Sequence, residues 1–491
     1  MEKTFTTSRS SVAIIAGLLL LLTNFNSSAQ TGGAIYETGP LMMRTKIYPV
    51  ASELSNGKII SFGGRENGFV ACAYADIYDP STNSFSEIPM NFTHDFSAVA
   101  KLSDGRYFIA GGGRDYGVPG YATTEIYDNA TQTFSVKASM IAERMMPAAV
   151  ELSSGKVLIA GAWYDNSAAS YGELYDPVTD SYIATGTLIQ PRTQQILLPT
   201  TDGGAVMAGG WPSYGGTTPS STEYYNPSTN AFENLNPDLI PSDPGWLLSV
   251  ILTRPFDDSR MGNGNYILLA YRNDPTLEFA LIEFNPTTKL FAKLTTSEPL
   301  SGPLTDGGFF DLVLNRTENM AYVLGLKANT DPYEVCLVSV NLTTGDINYP
   351  LSSYTLPTEE YLNPAMTYVS STGKILLQGI SSARDNFTAT NKTYLLTPHF
   401  PVGMEKVKNN SVVKVTYYPN PSSDLVTVSI KNTNSTDFDL NIYNMMGALV
   451  KSKKLKTNQE QINIADLSNG IYTVELKTKG WSEKQKLTIQ R

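Results

Sequence analysis

The chain has 491 residues, with 46 Asp and Glu against 36 Lys and Arg, a formal net charge of −10. That balance excludes the usual nucleic-acid binder, and 41% hydrophobic with only 17% charged residues excludes a disordered chain. Two Cys and two His leave no disulfide scaffold and no His/Cys metal cluster, while 38 Gly, 28 Pro and 28 Tyr lean towards many short strands and turns.

Residues 1–29 read as a cleaved secretory signal. Lys3 and Arg9 form a cationic start, Val12 to Leu22 is an apolar run, and Ser27-Ser28-Ala29 suits cleavage before Gln30. The apolar run is too short to cross about 30 Å of hydrocarbon. No later stretch reaches that length, so no transmembrane span is expected.

From there to residue 400 the sequence repeats. The stretches "ELSNGKIISFGG", "KLSDGRYFIAGG", "ELSSGKVLIAGA" and "PTTDGGAVMAGG" place turn glycines at Gly57, Gly105, Gly155 and Gly203, with steps of 48, 50 and 48 residues. A second element keeps the same step: "ADIYDPSTNSF", "TEIYDNATQTF", "GELYDPVTDSY" and "TEYYNPSTNAF". It persists, degraded, in "IEFNPTTKLF" and "VSVNLTTGDI". The physical reading is four strands per repeat. An apolar strand ends in an S-[ND]-G turn that asks for positive φ. A continuous β-branched strand follows, as expected of one buried on both faces, and stops at Gly-Gly. After a variable loop comes a strand ending in Tyr, a D-P-x-T-[ND] turn, and a strand opening on an aromatic.

These pieces resemble kelch β-propeller blades, with Phe or Tyr standing where kelch repeats usually carry Trp. The resemblance implies an all-β, kelch-like β-propeller over residues 30–400. Six repeats are complete. A seventh, "TYVSSTGKILLQG" with "KTYLLTP", lacks a fourth strand, and "YETGPLMMRT" from Tyr36 is expected to supply it, giving seven blades and removing the open sheet edges. Six blades with an irregular later region is the alternative.

Residues 401–411 read as a linker. Between 412 and 491 the charge changes sign, with 11 Lys and Arg against 7 Asp and Glu. Alternating strands with Pro and Gly turns predict a small immunoglobulin-like β-sandwich. The ordered motifs Pro419-Asn420-Pro421, Tyr443 with Gly447, Asn469-Gly470-Ile471-Tyr472 and a Lys-rich last strand resemble the type A C-terminal sorting domain of type IX secretion. The resemblance implies export to the surface of, or release from, a Gram-negative bacterium. The implied partners are the type IX machinery and a sortase-like peptidase.

Candidate binding residues fall in the variable loops and just before each repeat. The loops start at Arg65, Gly113, Trp163 and Trp211 and contain Arg114 and Tyr116. Eleven residues before each turn glycine stand Lys46, His94, Arg144 and Arg192. Propeller topology places these on one rim, a cationic ring with exposed aromatics, suited to a glycan or protein ligand. The alternative is structural, with the cations capping carbonyls or pairing with repeat acids such as Asp104. A binding protein is expected in preference to a carbohydrate-active enzyme on the same scaffold, and no cofactor is expected. Galactose-oxidase-like propellers bind copper through two His and two Tyr, one crosslinked to Cys. Here His94 and His399 lie far apart, and Cys72 and Cys336 fall in the first and sixth repeats, so that constellation is not expected. Asp257-Asp258 lie in an irregular insertion and read as solvated rather than as a glycosidase pair.

Overall fold

The repeated polar segments fold as tight turns because their side chains and glycines satisfy the local backbone. In each S-[ND]-G hairpin the glycine takes positive φ, as at Gly105 (87°), and its amide donates to Leu102 O at 2.9 Å. In each D-P-x-T turn the first side chain accepts the amide two residues on. Asp79 takes that of Ser81 at 2.9 Å, Asp128 that of Ala130 at 2.7 Å and Asp176 that of Val178 at 2.9 Å. Asn226, Asn285 and Asn341 repeat the contact at 2.9 to 3.0 Å. The local price is that Asn83, Gln132, Asp180, Asn230 and Lys289 adopt left-handed φ of 48–60°, tolerated in single turn residues.

The computed structural model describes residues 35–67, 70–113, 120–163, 169–212, 221–248, 256–273, 277–296, 300, 309–327, 334–348, 354–355, 364–380, 388–398, 414–418, 420–431, 438–444, 448–478 and 481–491. The proposed signal and linker lie outside these residues. The chain divides into two units, Met1–Phe400 and Pro401–Arg491. No described helix is long and apolar enough to cross a membrane.

The first unit is all-β. Among the described residues it holds seven antiparallel sheets of four strands, the sixth with an added fifth strand. The second sheet is typical: Ala98–Lys101, Tyr107–Ala110, Thr124–Asp128 and Thr133–Lys137, paired in sequence order. The first strands of the others are Val50–Glu53, Ala148–Glu151, Ile196–Pro199, Leu247–Leu248, Phe309–Asn315 and Ala365–Val369. In the seventh sheet the fourth place is taken by Ile35–Thr38, which runs antiparallel to Tyr394–Thr397 with Tyr36 opposite Leu396.

Each sheet is apolar on both faces, and each face meets the next sheet in the series. Phe62 and Ile77 pack on Ile109 and Tyr127, Phe108 on Ile159 and Tyr175, and Leu158 and Leu174 on Leu197 and Tyr225. Val206 and Tyr224 then pack on Leu268 and Phe284, and Leu269 and Leu281 on Val323 and Val338. Leu324 and Leu337 pack on Ile375 and Leu396. Finally Leu376 and Leu395 of the seventh sheet pack on Ile59 and Tyr78 of the first. The packing therefore returns to its start. The repeated Tyr and the aromatic seven residues on are directly opposed across the third and fourth strands, as in Tyr127–Phe134 with ring centroids 4.9 Å apart. Such pairs stabilise by about 0.5–1.5 kcal/mol beyond burial.

The second unit has two sheets. One is Lys414–Tyr418, Leu425–Lys431 and Gln459–Asn463; the other is Leu449–Leu455, Phe438–Tyr443, Gly470–Thr478 and Trp481–Ile489. Val428 and Ile462 of one share a core with Leu440, Leu476 and Leu487 of the other.

Candidate functional site

The segments entering each first strand sit beside the Gly-Gly ends of the second strands, and there the expected ring of cations is found inside the protein. Lys46, His94, Arg144 and Arg192 are each 0% exposed and Arg65 is 2% exposed. Each of the first four is held by a carboxylate from the third strand of its own sheet. Lys46 meets Asp76 at 2.6 Å, His94 meets Glu125 at 3.0 Å, Arg144 meets Glu173 at 3.0 Å and Arg192 meets Glu223 at 2.7 Å. Arg65 pairs with Asp95 at 2.5 Å. The rim expectation is corrected for these side chains. They lie below the surface against carboxylates, and Asp104 is no partner to them, since it pairs with Arg106 of its own turn at 2.7 Å.

The position is a stitch between sheets. The carbonyl of Arg144 accepts Gly112 N of the preceding sheet at 2.8 Å, while its guanidinium donates to Gly161 O of its own sheet at 3.2 Å. His94 does the same, with its carbonyl on Gly64 N at 2.7 Å and Nδ1 against Gly111 O at 2.9 Å. The second glycine of the pair is demanded by this approach. Gly112 has φ of 103°, and a Cβ there would lie 2.6 Å from Asp95 O. The carboxylates also cap backbone, with Glu173 accepting Ile141 N and Ala142 N, and Glu223 accepting Ile189 N and Gln190 N, at 2.7 to 3.1 Å. Burial raises the Asp76 carboxyl against the pull of Lys46 and lowers Arg192 against that of Glu223. The four acids were visible in the sequence as a lone charge inside an apolar strand ("ADIYD", "TEIYD", "GELYD", "TEYYN"). The expected binding set left them out.

Glu125 gives this ring a pH signature. Burial works against its ionisation, but hydrogen bonds from His94 and Asn91 outweigh that and hold it below its ordinary value of 4.5. A depressed folded pKa contributes stability that is present above 4.5 and lost as pH falls through the folded value. Glu125→Gln is therefore expected to flatten the fall in melting temperature below pH 4.5. Superimposable acid limbs for the two proteins would refute this.

The aromatics divide. Trp211 is 46% exposed, in a short two-stranded ladder where Trp211 pairs with Thr193 and Pro212 with Arg192. Trp163 is half-buried against the cluster of Phe96, Met145 and Met146, on which Tyr48 also packs. The Tyr48 and Phe96 rings lie 5.1 Å apart, and the Arg65 guanidinium sits 5.1 Å from the Phe96 ring. Tyr48, Phe96, Met146 and Gln194 occupy one phase of the repeat, all with left-handed φ of 54–56°. Their backbones link successive sheets, Met146 N to Phe96 O at 3.0 Å and Gln194 N to Met146 O at 3.2 Å. Arg114 and Tyr116 lie outside the described residues.

In the second unit the sequence motif fixes the last strand. The Asn420 amide donates to Lys486 O and accepts Thr488 N, both at 2.8 Å, beside a cis Asn420–Pro421 bond. Asn469 accepts Arg491 N at 3.1 Å, Tyr443 donates to Glu475 at 2.7 Å and Tyr472 to Ser468 O at 2.9 Å. Ile471 is exposed, and Gly470 opens the strand beside it. Pro419 and Gly447 lie outside the described residues.

Comparison with known proteins bears on both units. Residues 416–490 match the family described as the secretion system C-terminal sorting domain. The tail is thus a type IX sorting domain and marks the chain for export, to the cell surface or beyond. No kelch-repeat family is matched. No curated protein matches the chain. Among solved structures, a novel fungal alcohol oxidase of the AA5 family, in complex with copper, aligns with a TM-score of 0.53 at 13% identity, covering 94% of this chain and 100% of that one. At that identity the likeness concerns the all-β fold alone.

The described residues do not fit such a metal centre. Both ring nitrogens of His94 are engaged, by Gly111 O and Glu125. Cys72 is buried beside Tyr74 OH at 3.5 Å, and burial pushes its thiol up to about 11. Among the described residues no group of three or more His, Cys, Asp or Glu is placed to hold a metal ion. His399 lies outside them.

Proposed function

We propose that the chain is an exported binding protein: a seven-bladed, kelch-like propeller that recognises a glycan or a protein, followed by an immunoglobulin-like sorting sandwich. The cyclic return of the sheet-to-sheet cores supports the propeller reading. Export by the type IX machinery would end with a sortase-like peptidase removing the tail, leaving the passenger attached to the surface or released.

The observation that carries the binding reading is the contrast at the loop side. Among the described residues there, Lys46, Arg65, Arg144 and Arg192 are committed to internal ion pairs, whereas Trp211 stands out to solvent and Trp163 packs over an apolar floor. An indole face suits stacking on a sugar ring or an apolar side chain, and a ligand held this way depends on a few aromatic anchors. Trp211→Ala is expected to weaken binding of an array-identified glycan or protein about tenfold, close to 1.4 kcal/mol. Unchanged affinity in that variant would reject the rim.

A further inference from the structure

The turn side of the first unit holds a second feature. The segment Phe256–Arg260 lies between the ends of first strands from different sheets, and Arg316 holds it by donating to Arg260 O at 2.7 Å and Asp258 O at 3.0 Å. A cavity lies on either side. One, of about 330 Å³, is lined by Lys101, Ser103, Glu151, Ser153, Thr200 and Arg260. The other, of about 230 Å³, is lined by Glu53, Asp258, Asn315, Arg316 and Tyr368. One short segment thus presents Arg260 to the first cavity and Asp258 to the second.

The first cavity has the charge and lining of an anion site. Its carboxylate, Glu151, is already satisfied, accepting Ser103 N at 2.7 Å and the Ser103 hydroxyl at 3.2 Å. Lys101 donates to Glu53 O at 3.3 Å and lies 4.0 Å from Asp258, so it is partly engaged. Arg260 is exposed and rests 5.9 Å from the Tyr266 ring, and among the described residues no carboxylate pairs with it. A guanidinium fork matches a carboxylate in a two-point contact. Around it, Ser153 offers a hydroxyl, those of Ser103 and Thr200 donate to Glu151 and Asp202 and keep their accepting lone pairs, and Ala100, Ala149 and Val150 offer an apolar wall. The volume falls within the range of small-molecule sites, about 300–1,000 Å³. We propose that this cavity binds a uronic acid, with Arg260 on the carboxylate, Lys101 beside it, and the hydroxyl-bearing wall against the sugar ring. This site is separate from the aromatic rim and does not depend on it.

The test titrates the full exported chain with galacturonate and glucuronate, and with galactose and glucose as neutral controls, by calorimetry and ligand-observed NMR. At least one uronate is expected to bind about tenfold more tightly than its neutral counterpart. Arg260→Gln is expected to remove that preference, Lys101→Gln to reduce it, and Trp211→Ala to leave it intact. Equal binding of acid and neutral sugars, no uronate binding at millimolar concentration, or a preference that survives in a folded Arg260→Gln protein would each overturn the proposal. Because Arg260 is exposed, the variant's fold can be checked by circular dichroism before the titration is read.

Discussion

Replacing Glu173 with alanine is expected to lower the unfolding free energy by about 3–5 kcal/mol, the scale seen when one member of a buried ion pair is removed. Glu173 and Arg144 are both wholly buried. The carboxylate accepts the amides of Ile141 and Ala142 as well as Arg144 Nε at 3.1 Å. Without it, a guanidinium remains in the interior with the Gly161 carbonyl on Nη1, and two backbone donors lose their acceptor. Glu173→Gln keeps an acceptor oxygen for the backbone but not the charge, and should fall between. The double replacement Arg144→Met with Glu173→Leu removes both charges together, and is expected to recover much of the loss. Urea unfolding of the four proteins reads the series. A loss under about 1 kcal/mol in the alanine variant would place the pair among those that contribute little, as exposed pairs do.

The same pair shows what could and could not be read from the residues. Turn chemistry is local, so the period, the glycines and the Asp or Asn openings were visible: a positive φ at Gly105 or an Asx contact at Asp128 needs a particular residue whatever surrounds it. The direction of a side chain at a strand entry is not local. Arg144 stands at the phase expected of a rim residue, yet Gly112 of the preceding sheet and Gly161 of its own draw that segment inward. Its acid partner lies 29 residues on. No Gly-Gly pair closes the second strand of the fifth and sixth repeats, and this has a physical reason. Their second strands, Tyr266–Asn273 and Met320–Lys327, run on for eight residues where Tyr107–Ala110 has four. Each continues pairing with the third strand over its whole length, so no close approach interrupts it. In the tail, the motif asparagines Asn420 and Asn469 were legible as a pattern, but their work on the final strand needed the register of Thr488 and Arg491.

Deleting Ile35–Thr38 is expected to give a species that associates with rising concentration and melts well below the parent. The four residues pair with Tyr394–Thr397 across the whole strand. Tyr36 packs on the core shared by the sixth and seventh sheets, its ring 5.8 Å from that of Tyr394, and Glu37 meets Lys374. Their loss removes one partly buried aromatic and a four-residue ladder, together about 3 kcal/mol once backbone ordering is set against them. The larger consequence is topological. Tyr394–Thr397 becomes an open edge, a template for pairing with another chain. A synthetic peptide spanning Ala34–Pro40 should restore the melting temperature in a concentration-dependent way, because a ligand that binds only the folded state stabilises it by mass action. Light scattering and thermal melts at several concentrations distinguish the outcomes. A truncated chain that associates no more than the parent and keeps its midpoint would mean that the seventh sheet holds together through its other three strands and that the contribution of the N-terminal strand is slight.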